Sequence, residues 1–125
     1  MLLIKRIILI TYLLIIAIVA VFPFSAADVG AMNRVYILSF RLDHLIHVVA
    51  FLPLYPLLYW LIRPQSRQQI LILLIISLII ASAAEYVQYF IDYRSYNPAD
   101  LISNLTGAII GFLAVFTVKK FKRIT

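Results

Sequence analysis

Three short groups of polar residues interrupt an otherwise apolar chain, and their types are those that move protons, hold anions or ligate metals. Asp43 and His47 open one apolar run, Glu85 and Gln88 close the next, and Arg94, Asp100 and Asn104 lead into the last. An imidazole four residues after a carboxylate lies one helical turn away, close enough to be oriented as the base of an acid–base pair. Asp43, His47, Glu85 and Asp100 are therefore the candidate catalytic groups. Gln88, Arg94 and Asn104 are the candidate substrate-binding groups, with Arg94 offering a planar fork suited to phosphate or carboxylate. Two carboxylates, a histidine and an asparagine also suit a hard or borderline divalent cation, so a metal is one ligand this set can hold. His44 points about 60° off the Asp43–His47 face, allowing about 100° per residue, and is read as interfacial.

The elements that must position these groups are membrane helices. The chain has 125 residues and is 65% hydrophobic, with a mean hydropathy of +1.05. A water-soluble fold this small cannot hide so much apolar surface, so the solvent is lipid. A span of about 30 Å needs about 20 apolar residues. Four stretches qualify: about 7–24, 42–62, 70–90 and 98–118. Backbone groups in lipid must be satisfied within the segment, which predicts helices. Pro53 and Pro56 remove backbone donors from the second and should loosen it. The expected fold is all-α, a single domain over residues 1–125 forming an integral membrane bundle of four transmembrane helices.

Basic residues set the orientation. Lys5, Arg6, Arg63, Arg67, Lys119, Lys120, Lys122 and Arg123 fall on one side; Arg34, Arg41 and Arg94 fall on the other. Both termini are expected in the cytoplasm. The net charge of +6 is spread through these flanking clusters, which reads as topology signal and not as a nucleic-acid surface. Membrane lipid is the expected partner, with a lipid-linked or lipid-tailed molecule as the expected ligand. Cysteine is absent, which excludes disulfides and thiolate metal sites. Lys5-Arg6, an apolar stretch and Ser25-Ala26-Ala27 also fit a signal peptide, but the run is long for one and favours an uncleaved first helix. Tyr86, Tyr89, Tyr93 and Tyr96 suggest an outer aromatic belt, and Tyr55, Tyr59 and Trp60 an inner one. Met32 to Phe40 is expected to lie as a short amphipathic segment on the outer surface.

In this topology the polar groups share one depth. Four residues of helix correspond to about 6 Å. Asp43, Gln88 and Asp100 should form an upper layer, and His47, Glu85 and Asn104 a lower one. Asn97 can cap the last helix, Pro98 suits its first turn, and Asp100 falls three residues into it. Asp100, Asn104, Gly107 and Gly111 share one stripe, with both glycines expected to let a neighbouring helix approach. A purely structural network gluing helices together is the competing reading of the same residues.

At these residues the chain resembles the VanZ-like family of small bacterial membrane proteins. The match reads Asp43-His44-Leu45-Ile46-His47, Glu85-Tyr86-Val87-Gln88 and Arg94-x5-Asp100-x3-Asn104-x2-Gly107, across residues 42–115. The family's usual Lys after the first Asp is His44 here, and Asp92-Tyr93 stands where a Pro-Gly turn commonly precedes the Arg. The resemblance implies a bacterial plasma-membrane location and a family named for low-level resistance to teicoplanin, a lipid-tailed glycopeptide acting outside the membrane. It implies no established reaction. Three functions therefore stay open: an outer-leaflet enzyme or head-group site acting on an envelope lipid or cell-wall precursor, a non-catalytic binding or sequestering protein, and a subunit of a larger membrane complex.

Overall fold

The computed structural model describes residues 1–22, 30–32, 34–37, 40–93 and 96–122, with backbone only at 120–122. Its helices are α1 (Leu2–Val21), α2 (Leu42–Phe51), α3 (Leu54–Ile62), α4 (Arg67–Gln88) and α5 (Pro98–Lys122). Strands β1 (Tyr36–Ile37) and β2 (Phe40–Arg41) precede α2. Helices α2 and α3 are the two halves of one span, Leu42–Ile62, so among the described residues four apolar helical segments are long enough to cross a membrane. The break falls at Leu52-Pro53, where proline leaves no N–H to continue the ladder.

The ends of these elements have local causes. Ser66 accepts the Gln69 N–H at 3.2 Å while the Gln69 side chain reaches back to the Ser66 N–H, a capping box that starts α4 at Arg67 and not at Ile70. Helix α3 stops at Arg63, which adopts a left-handed φ of 54° immediately before Pro64, a neighbour that disfavours right-handed helix. Helix α1 begins at Leu2, before the expected start, and carries Lys5 within it. The Lys5 ammonium reaches the Trp60 carbonyl at 2.8 Å and lies 4.5 Å from the Trp60 ring centroid, so the charge is satisfied at the bundle's end. The expected end of the first span at residue 24 and the Ser25-Ala26-Ala27 stretch lie outside the described residues.

The expected amphipathic stretch from Met32 to Phe40 is replaced, where described, by an antiparallel pairing of Tyr36 with Arg41 and Ile37 with Phe40. The Leu42 N–H then closes onto the Val35 carbonyl at 2.9 Å, which aims the chain into α2.

Helix α5 is the hub, packing against α2, α3 and α4, while α1 rests on α3 and α4. The core between them contains Phe51, Leu54, Tyr55, Leu58, Leu73, Ala81 and Ala108. Tyr55 is buried and meets Phe112 edge-on at 5.1 Å, so it belongs to this core and not to an inner aromatic belt. Ile10, Ile79 and Leu113 point outward, each more than half exposed. Apolar side chains outside and a polar cluster within are what lipid demands.

Gly107 and Gly111 set how closely α5 approaches the second span. A Cβ at Gly107 would collide with the Val48 carbonyl, and one at Gly111 with the Leu52 carbonyl and Pro56 Cδ. Backbone atoms cannot rotate away as a side-chain tip can. Gly107→Ala and Gly111→Ala are each expected to destabilise the bundle by about 1–3 kcal/mol, the usual range for overpacking. Gly30→Ala, with nothing within 4 Å of the added carbon, should be near neutral. Thermal unfolding of the detergent-solubilised protein checks the contrast.

Candidate polar site at one end of the bundle

Two rungs of polar side chains join α2 to α5. In the upper rung His44 Nδ1 lies 2.9 Å from Asp100 Oδ1. In the lower, His47 Nδ1 lies 2.8 Å from Asn104 Oδ1. A step of three residues on α2 and four on α5 is one helical turn on each, so the rungs stack with the pitch of the helices.

The upper rung corrects the expectation that His44 is interfacial. The face that α2 turns toward α5 runs through His44, His47, Val48 and Phe51 and not along an Asp43–His47 line, because Gly107 and Gly111 draw Val48 and Leu52 against α5. Asp43 consequently turns toward the hairpin. There it binds Arg41 through both carboxylate oxygens, with Arg41 Nε 3.1 Å from Oδ1 and the second guanidinium nitrogen on Oδ2. This forked pair holds the Arg41 guanidinium above the ordinary arginine value. Asp43 also sits in the first turn of α2, where the helix dipole favours an anion. The Arg41-x-Asp43 spacing across a helix start was the available signal for this pair; counting Arg41 only as a topology marker passes over it.

Glu85 is fully buried, and its Oε1 accepts the Asn97 N–H at 2.8 Å. The carboxylate therefore sits level with the start of α5 and not beside Asn104 in a lower layer. Asn97 caps α5 as expected, accepting the Ala99 N–H at 3.1 Å. Asn104, also buried, donates from Nδ2 to the Ala81 carbonyl at 3.3 Å, which ties α4 to the lower rung. Gln88 is buried at the end of α4. Arg94 lies outside the described residues.

The structure thus brings Asp43, His44, His47 and Asp100 together as a partly exposed rim, with side chains 15–25% accessible. Glu85, Gln88 and Asn104 make up the buried layer, with Glu85 level with the start of α5 and Asn104 at the lower rung. His47 and Asp43 are not bonded to each other; His47 Nε2 instead faces Asp100 Oδ2 at 3.8 Å. The aromatic side chains at this end are partly as expected: Tyr86, Tyr89 and Tyr93 are exposed, Tyr86 stacks on Tyr96 at 5.6 Å, and the Tyr93 hydroxyl donates to the Val21 carbonyl at 2.7 Å. The opposite end of the bundle carries Lys5, Arg63, Arg67 and Lys119, with the Lys119 ammonium over the Tyr59 ring at 4.4 Å.

Glu85→Leu would remove the acceptor for a part-buried backbone N–H and is expected to cost about 1–3 kcal/mol, whereas Glu85→Gln keeps an oxygen there and should retain most of that stability. Comparing the melting temperatures of the two variants in detergent checks this role for the side chain.

No curated protein and no solved structure matches the chain. A family profile described as VanZ/LLP1 matches residues 9–119, a stretch holding both rungs, the buried carboxylate and both packing glycines. With that coverage and this mostly helical bundle, the chain belongs to the VanZ/LLP1 family of multi-pass membrane proteins.

Proposed function

We propose that this chain is a bacterial plasma-membrane protein that binds the polar head of a lipid-linked or lipid-tailed ligand at the outer leaflet. The orientation rests on the basic residues. Eight Lys and Arg flank the spans on the side of the termini and three on the side of the polar cluster, which favours both termini inside and the cluster outside.

The observation that carries the reading is the pair of rungs, His44–Asp100 and His47–Asn104, at one end of a bundle whose outer faces are apolar. Helices can be held by serine or asparagine at little cost. A rim that keeps two imidazoles and two carboxylates partly accessible retains groups that ionise, and ionisable groups near lipid persist where a ligand or a partner offsets their cost. An acyl chain of the ligand would lie along the exposed apolar faces while its head met the rim. Arg94, six residues after Gln88 in sequence, would add a phosphate-binding fork. The family's association with teicoplanin, whose lipid tail anchors it at the same surface, fits a ligand of this shape.

A second reading, acid–base chemistry on the bound head group, draws on one contact: the bond from His47 to Asn104 orients the ring with Nε2 toward Asp100. Binding and catalysis separate on isosteric variants.

Expression in a susceptible bacterium is expected to raise tolerance to teicoplanin and leave tolerance to a glycopeptide without a lipid tail unchanged. His44→Ala with His47→Ala should abolish the effect at normal membrane levels. Asp100→Asn should reduce it only mildly if binding suffices, and eliminate it if Asp100 moves a proton. Full protection by the double histidine variant would sink the proposal.

A further inference from the structure

One of the rim's close approaches is between atoms that both carry lone pairs. Asn104 is pinned by its bond from Nδ2 to the Ala81 carbonyl, so its Oδ1 is the atom presented to His47. An amide oxygen only accepts, and His47 Nδ1 at 2.8 Å must therefore be the donor. In the neutral ring that leaves a lone pair on Nε2, 3.8 Å from a carboxylate oxygen of Asp100. This distance is too long for a hydrogen bond. It is suited to two ligands on one cation. On the other side of the cluster His44 Nδ1, which shares a proton with Asp100 Oδ1 at 2.9 Å, also lies 3.8 Å from Asp43 Oδ2.

We propose that His44 Nδ1, Asp43 and Asp100 hold a borderline divalent metal ion of the first transition row, with Zn2+ the representative and His47 Nε2, beside the second oxygen of Asp100, completing the set. Metal–ligand bonds of about 2.0–2.2 Å put neighbouring ligand atoms of a tetrahedral site about 3.3–3.6 Å apart. The separations are 3.8 Å from Asp43 Oδ2 to His44 Nδ1 and 2.9 Å from His44 Nδ1 to Asp100 Oδ1, while His47 Nε2 lies 3.8 Å from the second oxygen of Asp100, Oδ2. The first two, which meet at His44 Nδ1, bracket the required edge. Asp43, His44 and Asp100 place one ligand atom each within 4.8 Å of one another, and His47 stands at the edge of that group. Two imidazoles with two carboxylates favour such a metal over Mg2+ or Ca2+, which prefer all-oxygen surroundings.

The surroundings also match what ligands of a metal require. A metal-bound imidazole usually donates its other ring N–H to an oxygen, and His47 does so to Asn104. Ligating carboxylates are themselves hydrogen-bonded, and Arg41 grips Asp43 through both oxygens. Each carboxylate oxygen has a second lone pair, so Oδ2 can serve the guanidinium and the ion together. Binding the ion displaces the proton shared by His44 and Asp100, which leaves His44 Nδ1 as a neutral ligand.

This inference deepens the head-group reading and rests on it for its purpose, since an ion here would be what a phosphate or carboxylate of the ligand meets. Occupancy of the site does not depend on any lipid, and the test uses none. Untagged full-length protein in detergent is stripped with a chelator, dialysed against Zn2+, and its metal content and affinity are measured. One Zn2+ per chain is expected, with binding weakened at least about ten-fold in His44→Ala and Asp100→Asn, and by about 10–100-fold in Asn104→Leu, which touches no metal. Co2+ added to the stripped wild-type protein should give the visible absorption of a nitrogen- and oxygen-ligated ion, a readout that needs no variant to fold. Absence of both stoichiometric Zn2+ and a Co2+ spectrum overturns the proposal, as does Zn2+ affinity unchanged across the three variants. Metal binding that persists in a protein giving no teicoplanin protection upholds this site while defeating the head-group reading.

Discussion

The close approach of α5 to the second span is the contact on which the site depends. Gly107 and Gly111 let the backbone of α5 meet the carbonyls of Val48 and Leu52 without an intervening side chain. Only at that separation can histidines on one helix reach an aspartate and an asparagine on the other directly. Both rungs close at 2.8–2.9 Å. A wider gap would put water or lipid between them. Small residues at the interface therefore decide the polar chemistry one and two turns away, and they do so by setting a distance.

The buried layer follows from the same economy of polar groups in an apolar solvent. Asn104 bonds α2 through His47 and α4 through the Ala81 carbonyl, so one amide ties three helical segments together. Glu85 anchors the start of α5 through the Asn97 N–H. Hydrogen bonds of this kind are worth only about 0.6–2 kcal/mol each between membrane helices. Their larger effect is on orientation: Asn104 determines which nitrogen of His47 carries the proton, and hence which one faces Asp100. One amide thereby sets the chemical character of the histidine that faces Asp100.

Much of this was legible before any coordinates. Length and hydropathy mark the four spans, because about 30 Å of hydrocarbon fixes how many apolar residues a helix needs. Pro53 marks the break, Asn97 and Pro98 the start of α5, and the Asp100–Asn104–Gly107–Gly111 stripe its packed face. The polar residues converge at one end because residues counted from a helix terminus share a depth. Less visible were the start of α4, where a capping box extends the helix by a turn beyond its apolar run, and the fate of Tyr55, an aromatic that fits both a belt and a core. Asp43 and His44 were misplaced for one reason. Rotation of α2 about its own axis was inferred from its polar residues, whereas its packing against the glycines of α5 is what determines it.

Position along the bundle axis was thus largely set by the sequence, since helix rise is fixed, with Glu85, drawn to the start of α5, the departure. Azimuth was set by the tertiary structure. Which side of a helix faces its neighbour depends on how two surfaces interlock, and no single segment contains that information. That distinction separates the expected Asp43–His47 pair from the observed rungs, His44 with Asp100 and His47 with Asn104.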